Sequence, residues 1–190
     1  MKKPTKAIIA AAGFGTRFLP QTKAMPKEML PLIDKPIIQY VVEELVEAGI
    51  KDIIIIGSAN KRAIEDHFDT PNEELLANLR AGGAKKQPLI DIVQRLSEMA
   101  NFVYIRQKGP YGNATPLTCA SHLIMPGESV IYTFADDFIE ASPSRFRQMI
   151  EASQQLDGAI LSCKKIVEDA EFDRYGVVNG QQVKDGVIKM

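Results

Sequence analysis

The sequence predicts an α/β fold in which a parallel or mostly parallel sheet is covered by helices on both faces. Two observations predict it. Short apolar runs alternate with segments of helical periodicity along the 190 residues, which is the order typical of parallel-sheet proteins. The first apolar run also leads directly into a glycine-rich loop, residues 11–17. Because ligands of such sheets bind where the strands end, we expect a binding site at the carboxyl edge of the sheet.

Five segments are predicted as strands because they are short, apolar and rich in β-branched residues. A strand buried on both faces needs no alternation of apolar and polar residues, and the four consecutive isoleucines from Ile53 to Ile56 are the clearest example. The predicted strands are residues 6–11, 52–56, 102–106, 130–134 and 159–163.

Six segments are predicted as helices from the spacing of their apolar residues. Pro36 and Pro143 suit the first turn of a helix, and Gly49 suits the end of one. The predicted helices are residues 36–48, 61–67, 72–80, 87–100, 115–123 and 143–156.

The last part of the chain contains two hairpin signals, Asn179-Gly180 and Asp185-Gly186. The final predicted strand, residues 187–190, stops abruptly at an apolar residue. We therefore interpret residues 1–190 as one domain whose C-terminal part is missing.

Composition and charge exclude several classes of protein. The net charge of −1 lacks the basic excess from which nucleic-acid binders gain affinity, so no nucleic-acid partner is expected. No apolar stretch approaches the ~20 residues of a membrane span. A cytoplasmic location follows as the default. Cys119 and Cys163 lack metal-binding or redox spacing, and we expect both to be reduced and buried.

The loop after the first predicted strand carries the main chemical signal. Gly13 and Gly15 permit positive φ, and the N–H groups of such a loop can bind an anion. Arg17, Lys23 and Lys27 add positive charge that suits a triphosphate. From these residues alone, phosphate binding is not the sole interpretation. The two glycines could equally form a tight strand-to-helix turn, and the three basic residues could equally form a solvated surface. The loop is neither a dinucleotide fingerprint, which needs a third glycine, nor a Walker A loop.

Residues 12–49 extend this signal into a family resemblance. The pattern G-x-G-T-R-x-x-P, followed by Pro26-Lys27 and Leu30-Pro31, is shared by sugar nucleotidyltransferases. The whole stretch is very similar to the opening of the bacterial UTP–glucose-1-phosphate uridylyltransferases, and the resemblance continues more thinly to about residue 178. It implies a Rossmann-like nucleotidyltransferase fold with a mostly parallel, mixed sheet.

The resemblance implies roles around UTP for individual residues. Arg17 and Lys27 are the expected catalytic cations, which neutralise charge on the α-phosphate and on the leaving pyrophosphate. The amide of Gln107 is expected to read the pyrimidine edge. Glu28 is expected to fix the loop or face the base rather than to act as an acid. The expected nucleotide-binding residues are Ala11, Ala12, Gly13, Gly15, Thr16, Gln107 and Gly112.

A second group of implied roles concerns the metal and the sugar. Asp136 and Asp137 follow the strand predicted at residues 130–134. Adjacent carboxylates repel each other unless a cation lies between them, and Mg²⁺ with phosphate oxygens is a natural partner. From the residues alone, a solvated turn is the alternative. The resemblance assigns Asp136 to Mg²⁺, and Asp137 and Gly176 to the sugar.

One segment departs from the family pattern. Where the uridylyltransferases have a Gly-Leu-Gly-His-Ala-like run, this chain has Gly112-Asn113-Ala114-Thr115-Pro116. Thr115 can cap a helix and Pro116 suits its first turn, so we expect the helix to begin there. The contacts to base and ribose change, which leaves the preference for uracil open.

The predicted function is Mg²⁺-assisted transfer of a uridylyl group from UTP to glucose 1-phosphate, giving UDP-glucose and pyrophosphate. No nucleophilic side chain is required, because the attacking phosphate is already ionised. A related enzyme that uses dTTP and a non-catalytic nucleotide-binding paralogue are the alternatives. The resemblance also implies that the full-length protein forms homo-oligomers.

Overall fold

The computed structural model describes residues 2–156, 158–167, 172, 176–184 and 186–189. The chain divides into two units, Met1–Ile160 and Leu161–Met190, which are described separately. The strands are β1 Lys6–Ala10, β2 Pro31–Leu32, β3 Lys35–Pro36, β4 Asp52–Gly57, β5 Asn101–Arg106, β6 Val130–Phe134, β7 Gln181–Lys184 and β8 Val187–Lys189. The α-helices are α1 Ile37–Glu47, α2 Arg62–Phe68, α3 Glu73–Ala81, α4 Gln87–Glu98, α5 Thr115–Ala120 and α6 Arg145–Gln155.

The first unit is built on a four-stranded parallel sheet with the order β5-β4-β1-β6. Ala10, the last residue of β1, lies opposite both Ile56 and Phe134. Three neighbouring strands therefore end at the same edge of the sheet. The antiparallel pairs of the described residues are two separate hairpins, β2–β3 and β7–β8.

The four isoleucines of β4 explain why helices cover both faces. Ile53 and Ile55 belong to a large core with α1 and α6, whereas Ile54 and Ile56 pack against α5 on the opposite face. All four are at most 2% exposed. Because successive side chains of a strand point to opposite faces, one uninterrupted apolar run supplies both cores.

Helix α1 shows how the sequence sets both its position and its end. Its buried residues include Ile38, Val41, Val42 and Leu45, a spacing that places them on one face toward the sheet. Gly49 follows with a φ of 95° and donates its N–H to the carbonyl of Val46 at 3.0 Å. Glycine is favoured at such a left-handed position, so the predicted end of this helix is confirmed.

The predicted fold class is confirmed. β1, β4, β5, β6 and five of the six helices lie within about two residues of their predicted positions, whereas α5 ends at Ala120, three residues before its predicted end. The strand predicted at residues 159–163 is wrong. The described residues 158–167 form no strand, and Leu161 is 58% exposed. Apolar composition favours a strand only where a neighbouring strand accepts its hydrogen bonds, and none of the described strands pairs with this segment.

Three smaller expectations have mixed outcomes. Both cysteines are free thiols, but Cys119 is half-buried and Cys163 is exposed, so their predicted burial is wrong. The second unit contains the β7–β8 hairpin, whose turn includes Gly186, while Asp185 of that signal lies outside the described residues. The signal at Asn179-Gly180 joins no strands, because residues 176–180 are irregular. That residues 1–190 are one domain stays a prediction.

No helix in the described part of the chain has the length and hydropathy needed to cross a membrane.

The β2–β3 hairpin contains one strained residue. The turn consists of Ile33 and Asp34, and Ile33 has a φ of 66° with 93% of its surface exposed. A β-branched residue is disfavoured at positive φ, whereas glycine adopts it readily. The turn therefore carries backbone strain without any compensating burial of the isoleucine.

We expect Ile33→Gly to raise the free energy of unfolding by about 0.5–1 kcal/mol, since relief of the positive-φ strain exceeds the entropy that glycine loses on folding. Urea unfolding measures the change. Ile33→Ala is the control, because it removes the exposed side chain but keeps a Cβ at positive φ. Equal stability of the two variants would contradict the strain argument.

Candidate active site

The carboxyl edge of the sheet brings together loops that are far apart in sequence. Beyond the strands, Ala11 donates its N–H to Ile56 at 2.8 Å, and Ala135 donates to Ala10 at 3.1 Å. Gln107 donates its N–H to Gly57 at 2.8 Å. These bonds continue the ladder past the ends of the strands. The edge predicted to bind a ligand therefore receives the glycine loop, the start of the Gln107 loop and the Asp136 loop.

The glycine loop is shaped by residues that allow only glycine at position 15. Gly15 has a φ of 68°, and a Cβ placed there would lie 2.9 Å from Cβ of Lys27. The hydroxyl of Thr22 donates to the carbonyl of Gly15 at 2.7 Å. Ala11 and Ala12 are buried, at 1% and 5% exposure, before the chain emerges. The loop is thus fixed at its base.

The exposed part of the loop carries an uncommitted cation. Thr16 and Arg17 lie in a 3-10 turn, Thr16–Phe18, and both are exposed, as is Gly13. Among the residues that the structure describes, Arg17 makes no ion pair at this edge. Its guanidinium is available for a phosphate group, with which it can form paired hydrogen bonds.

Lys27 and Asp136 form the central polar contact of the site. The Nζ atom of Lys27 lies 2.6 Å from Oδ2 of Asp136, and both side chains are half-buried. Lys27 reaches this position because its aliphatic stem packs against Gly15. The predicted catalytic lysine and the predicted metal ligand, 109 positions apart in sequence, are therefore neighbours.

Asp137 is held by its backbone rather than by its carboxylate. Arg145 donates from Nη2 to the carbonyl of Asp137 at 2.7 Å and pairs with Glu44 at 3.4 Å, where both charged side chains are buried. Partial desolvation and the adjacent Asp136 raise the pKa of the Asp137 carboxyl, while Arg145 and Lys27 oppose the rise. The side chain itself is exposed, so water screens these effects.

The Asp136 carboxylate suits a divalent cation whose other ligands are not protein side chains. Its position 2.6 Å from an ammonium group shows that it faces a place where a positive charge is accommodated. No cluster of three or more acidic, histidine or cysteine side chains suited to a metal occurs within the described ranges. Mg²⁺ usually keeps several non-protein ligands, such as waters and substrate phosphates. The donor set therefore suits a metal shared with phosphate oxygens.

Glu28 belongs to a buried ion pair beneath the loop. Its Oε2 lies 2.7 Å from Nζ of Lys61, and the side chains are 1% and 2% exposed. Burial raises the pKa of Glu28, while the hydrogen bond and the charge of Lys61 act in the opposite direction. The predicted loop-fixing role of Glu28 agrees with this geometry and stays a prediction.

The loop from Gln107 to Thr115 forms the other wall of this edge. Gln107 is half-buried, and its amide nitrogen lies 3.5 Å from the carbonyl of Pro110, a weak contact that leaves the amide available. Gly112 is exposed. The hydroxyl of Tyr132 donates to the carbonyl of Asn113 and ties the loop to β6.

The helix start in this loop differs from the prediction. Ala114, not Thr115, occupies the N-cap position of α5, and no side chain caps the helix. Thr115 is already the first helical residue. Pro116 fits the first turn because its ring holds φ at a helical value, and the helix begins without a side-chain cap. Helix initiation is thus retained without the predicted threonine cap.

Gly176, the remaining predicted sugar contact, lies in the second unit. It is exposed, and no neighbouring atom lies within 4 Å of a Cβ placed there. Tyr175, its partner in the Tyr-Gly-Val resemblance, is outside the described residues. The sugar-binding role of Gly176 stays a prediction.

Sequence reasoning missed the residues that support the site from below. Lys61 and Arg145 are charged residues in polar stretches, which normally indicates a solvated surface. Both are at least 92% buried and act on the two loops that carry Lys27 and Asp137. Their partners lie 33 and 101 positions away, so no local pattern could have identified them.

Comparison with known proteins identifies what this chain is similar to. The family described as nucleotidyl transferase matches residues 6–189. The chain is 47% identical over 179 residues to the UTP–glucose-1-phosphate uridylyltransferase of Bacillus subtilis (strain 168). The matched region covers 94% of this chain and 60% of that protein. The chain thus spans about three-fifths of this relative's length.

Solved structures agree in fold. A UDP-glucose pyrophosphorylase complexed with UDP-glucose matches with a TM-score of 0.80 at 35% identity, over 96% of this chain and 65% of that one. A UTP-bound UGPase from Acinetobacter baumannii matches with a TM-score of 0.76 at 30% identity, over 95% and 63%. The predicted resemblance and the predicted fold are confirmed, and the chain belongs to the nucleotidyl transferase family.

Proposed function

We propose that the protein containing this chain transfers a uridylyl group from UTP to glucose 1-phosphate, giving UDP-glucose and pyrophosphate. The observation that carries the proposal is the Lys27–Asp136 pair packed against the glycine loop, which joins a cation and a carboxylate at one edge of the sheet. The relatives support it, since they include a uridylyltransferase, a UTP-bound protein and a complex with UDP-glucose.

The reaction asks little covalent chemistry of the protein. An oxygen of glucose 1-phosphate attacks the α-phosphorus of UTP, and the bond from that phosphorus to the oxygen bridging to the β-phosphate breaks. The electron pair of that bond leaves with pyrophosphate. Because the attacking oxygen is already ionised, no side chain has to remove a proton. Positioning and charge neutralisation therefore carry the catalysis.

The glycine loop is the proposed triphosphate site. Gly13, Gly15 and Thr16 present backbone to the phosphates, and the exposed Arg17 neutralises charge on the α-phosphate. Lys27 has to leave Asp136 partly or fully to reach the departing pyrophosphate. The flexible side chain of Lys27 and the partial exposure of its ion pair allow this movement.

Asp136 is the proposed Mg²⁺ ligand, together with phosphate oxygens of the substrates. When bound, Mg²⁺ supplies positive charge that stabilises the charge developing on those oxygens. Asp137 presents an exposed carboxylate beside it, which suits hydrogen bonds from sugar hydroxyls. Arg145 keeps this loop in place through the Asp137 carbonyl.

The nucleobase is proposed to lie between Ala11-Ala12-Gly13 and the loop of Gln107 and Gly112. The Gln107 amide offers both a donor and an acceptor, as uracil requires. The altered Asn113-Ala114-Thr115 segment lies on the same loop and is the observation that favours dTTP as the second candidate nucleotide. Both nucleotides present the same polar base edge, so the 5-methyl group of the base and the 2′-hydroxyl of the sugar are what distinguish them.

The remaining parts of the proposal concern the whole protein. Gly176 is proposed to face the hexose. We also propose that the whole protein forms homo-oligomers and is located in the cytoplasm.

The proposed function is tested by a panel of nucleoside triphosphates and sugar 1-phosphates, scored for pyrophosphate release by the intact protein. We expect UTP with glucose 1-phosphate to be the most active pair. Highest activity with dTTP would support the second candidate. Tight UTP binding without release of pyrophosphate for any pair would contradict the enzymatic proposal.

Arg17→Ala is expected to lower kcat by about 10²–10³-fold, the equivalent of ~3–4 kcal/mol for loss of one transition-state donor. The reason is that Arg17 is the basic residue of the exposed turn Thr16–Phe18. Pyrophosphate release at saturating UTP measures the effect. Arg95→Ala removes an exposed arginine from α4 and should leave the rate unchanged. An Arg17→Ala rate near that of the wild type would remove Arg17 from the site.

Asp136→Asn is expected to shift the Mg²⁺ titration of activity to concentrations higher by about tenfold or more, since a neutral amide is a poorer ligand than a carboxylate. Asp91→Asn, an exposed change in α4, is the matched control. If the two variants share one titration curve, Asp136 does not hold the metal.

Lys27→Met is expected to have opposite effects on metal binding and on turnover. Without nucleotide, Mn²⁺ should bind about two- to fivefold more tightly, because the competing ammonium of a part-exposed ion pair is removed. Turnover should fall, because the leaving pyrophosphate loses its cation. Electron paramagnetic resonance of free Mn²⁺ measures the first effect. Weaker Mn²⁺ binding in this variant would show that Lys27 does not compete for Asp136.

A further inference from the structure

We propose that Lys61 is a positioning residue, which acts through Glu28 to hold Lys27 at the reaction centre. The proposal rests on the proposed function and deepens it. Neither the glycine loop nor its basic segment contains Lys61, which follows β4 and directly precedes α2.

Lys61 is itself held rigidly. Its N–H donates to the carbonyl of Ser58 at 3.1 Å, and its own carbonyl accepts from Ile64 at 2.9 Å in the first turn of α2. A Cβ placed at Gly57 would lie 3.3 Å from Cβ of Lys61. The side chain is 2% exposed, and its ammonium ends on Glu28 at 2.7 Å. Lys61 is therefore a fixed point attached to the central sheet.

Glu28 and Lys27 lie in the same short turn. The segment Lys27–Met29 is a 3-10 turn, closed by the bonds Met29 to Pro26 at 2.9 Å and Leu30 to Lys27 at 3.1 Å. Successive residues of a 3-10 turn point about 120° apart. Glu28 thus points to Lys61, while Lys27 points to Asp136. The turn is attached by adjacent side chains to the ends of β4 and β6.

The energetics favour a positioning role over a stabilising one. Two desolvated charges contribute little net stability, and apolar residues of similar size often serve as well or better. One carboxylate oxygen of Glu28, Oε1, has no hydrogen-bond partner among the described residues. What an apolar pair cannot reproduce is the direction of a short charged hydrogen bond. That direction determines where the turn, and with it Lys27, lies.

The test is a double-mutant cycle between the buried pair and Lys27. The pair is replaced by Glu28→Leu with Lys61→Met, in the wild type and in a Lys27→Met background. Kinetics of pyrophosphate release and calorimetric affinity for inorganic pyrophosphate are measured on the intact protein. Arg62→Gln with Asp66→Asn removes an exposed ion pair from α2 and is the matched control, with both readouts unchanged.

In the wild-type background, we expect the apolar pair to lower kcat by about 10- to 100-fold, as misplacement of a catalytic group by about 1 Å does. The KM for UTP should change less than about threefold, and pyrophosphate should bind several-fold more weakly. In the Lys27→Met background, the same replacement should have almost no further effect on either readout, because the group it positions is gone.

Equal losses in both backgrounds would overturn the proposal, since a purely structural role does not depend on Lys27. So would full kcat and unchanged pyrophosphate affinity in the folded apolar variant. If that variant does not fold, Lys61→Arg, which keeps the charge but displaces the carboxylate, takes its place in the same cycle. If the wild type releases no pyrophosphate, the proposed function fails, and the pyrophosphate affinities alone decide the role of Lys61.

Discussion

The parallel pairing of β1 with both β4 and β6 is the constraint on which the rest of this structure depends. Ala10 lies between Ile56 and Phe134, so the chain leaves three adjacent strands at one edge. The isoleucines of β4 are buried on both faces of this sheet and pack it against the helices. Loops from distant parts of the sequence are thereby placed within hydrogen-bonding distance of one another.

Charge is distributed locally rather than globally. A net charge of −1 produces little long-range attraction for a nucleotide, yet Arg17 and Lys27 face one edge of the sheet. One of them is exposed and one is paired with Asp136 at 2.6 Å. The pairing leaves the ammonium of Lys27 and the carboxylate of Asp136 neutralised by each other.

Two buried ion pairs lie beneath the loops at the carboxyl edge of the sheet. Glu28 pairs with Lys61, and Glu44 pairs with Arg145, which also holds the carbonyl of Asp137. The first pair joins the turn that carries Lys27 to the residue before α2, and the second joins α1 to α6. Among the described residues, Glu28 Oε1, Glu44 Oε1 and Arg145 Nε are buried without a hydrogen-bond partner. Such arrangements cost desolvation free energy, and their common feature is a contact with a loop at the carboxyl edge of the sheet.

The sequence by itself determined the fold class, the family and the glycine loop. A continuous apolar run, a glycine that ends a helix at Gly49 and the G-x-G-T-R pattern are local signals. Such signals can be recognised in the sequence without knowledge of the fold. Only the tertiary structure decided that Lys61 and Arg145 are buried, that Lys27 contacts Asp136 and that residues 159–163 form no strand. The physical reason is that burial and strand pairing depend on partners far away in the chain. A charged or apolar residue gives the same local signal whether or not such a partner is present.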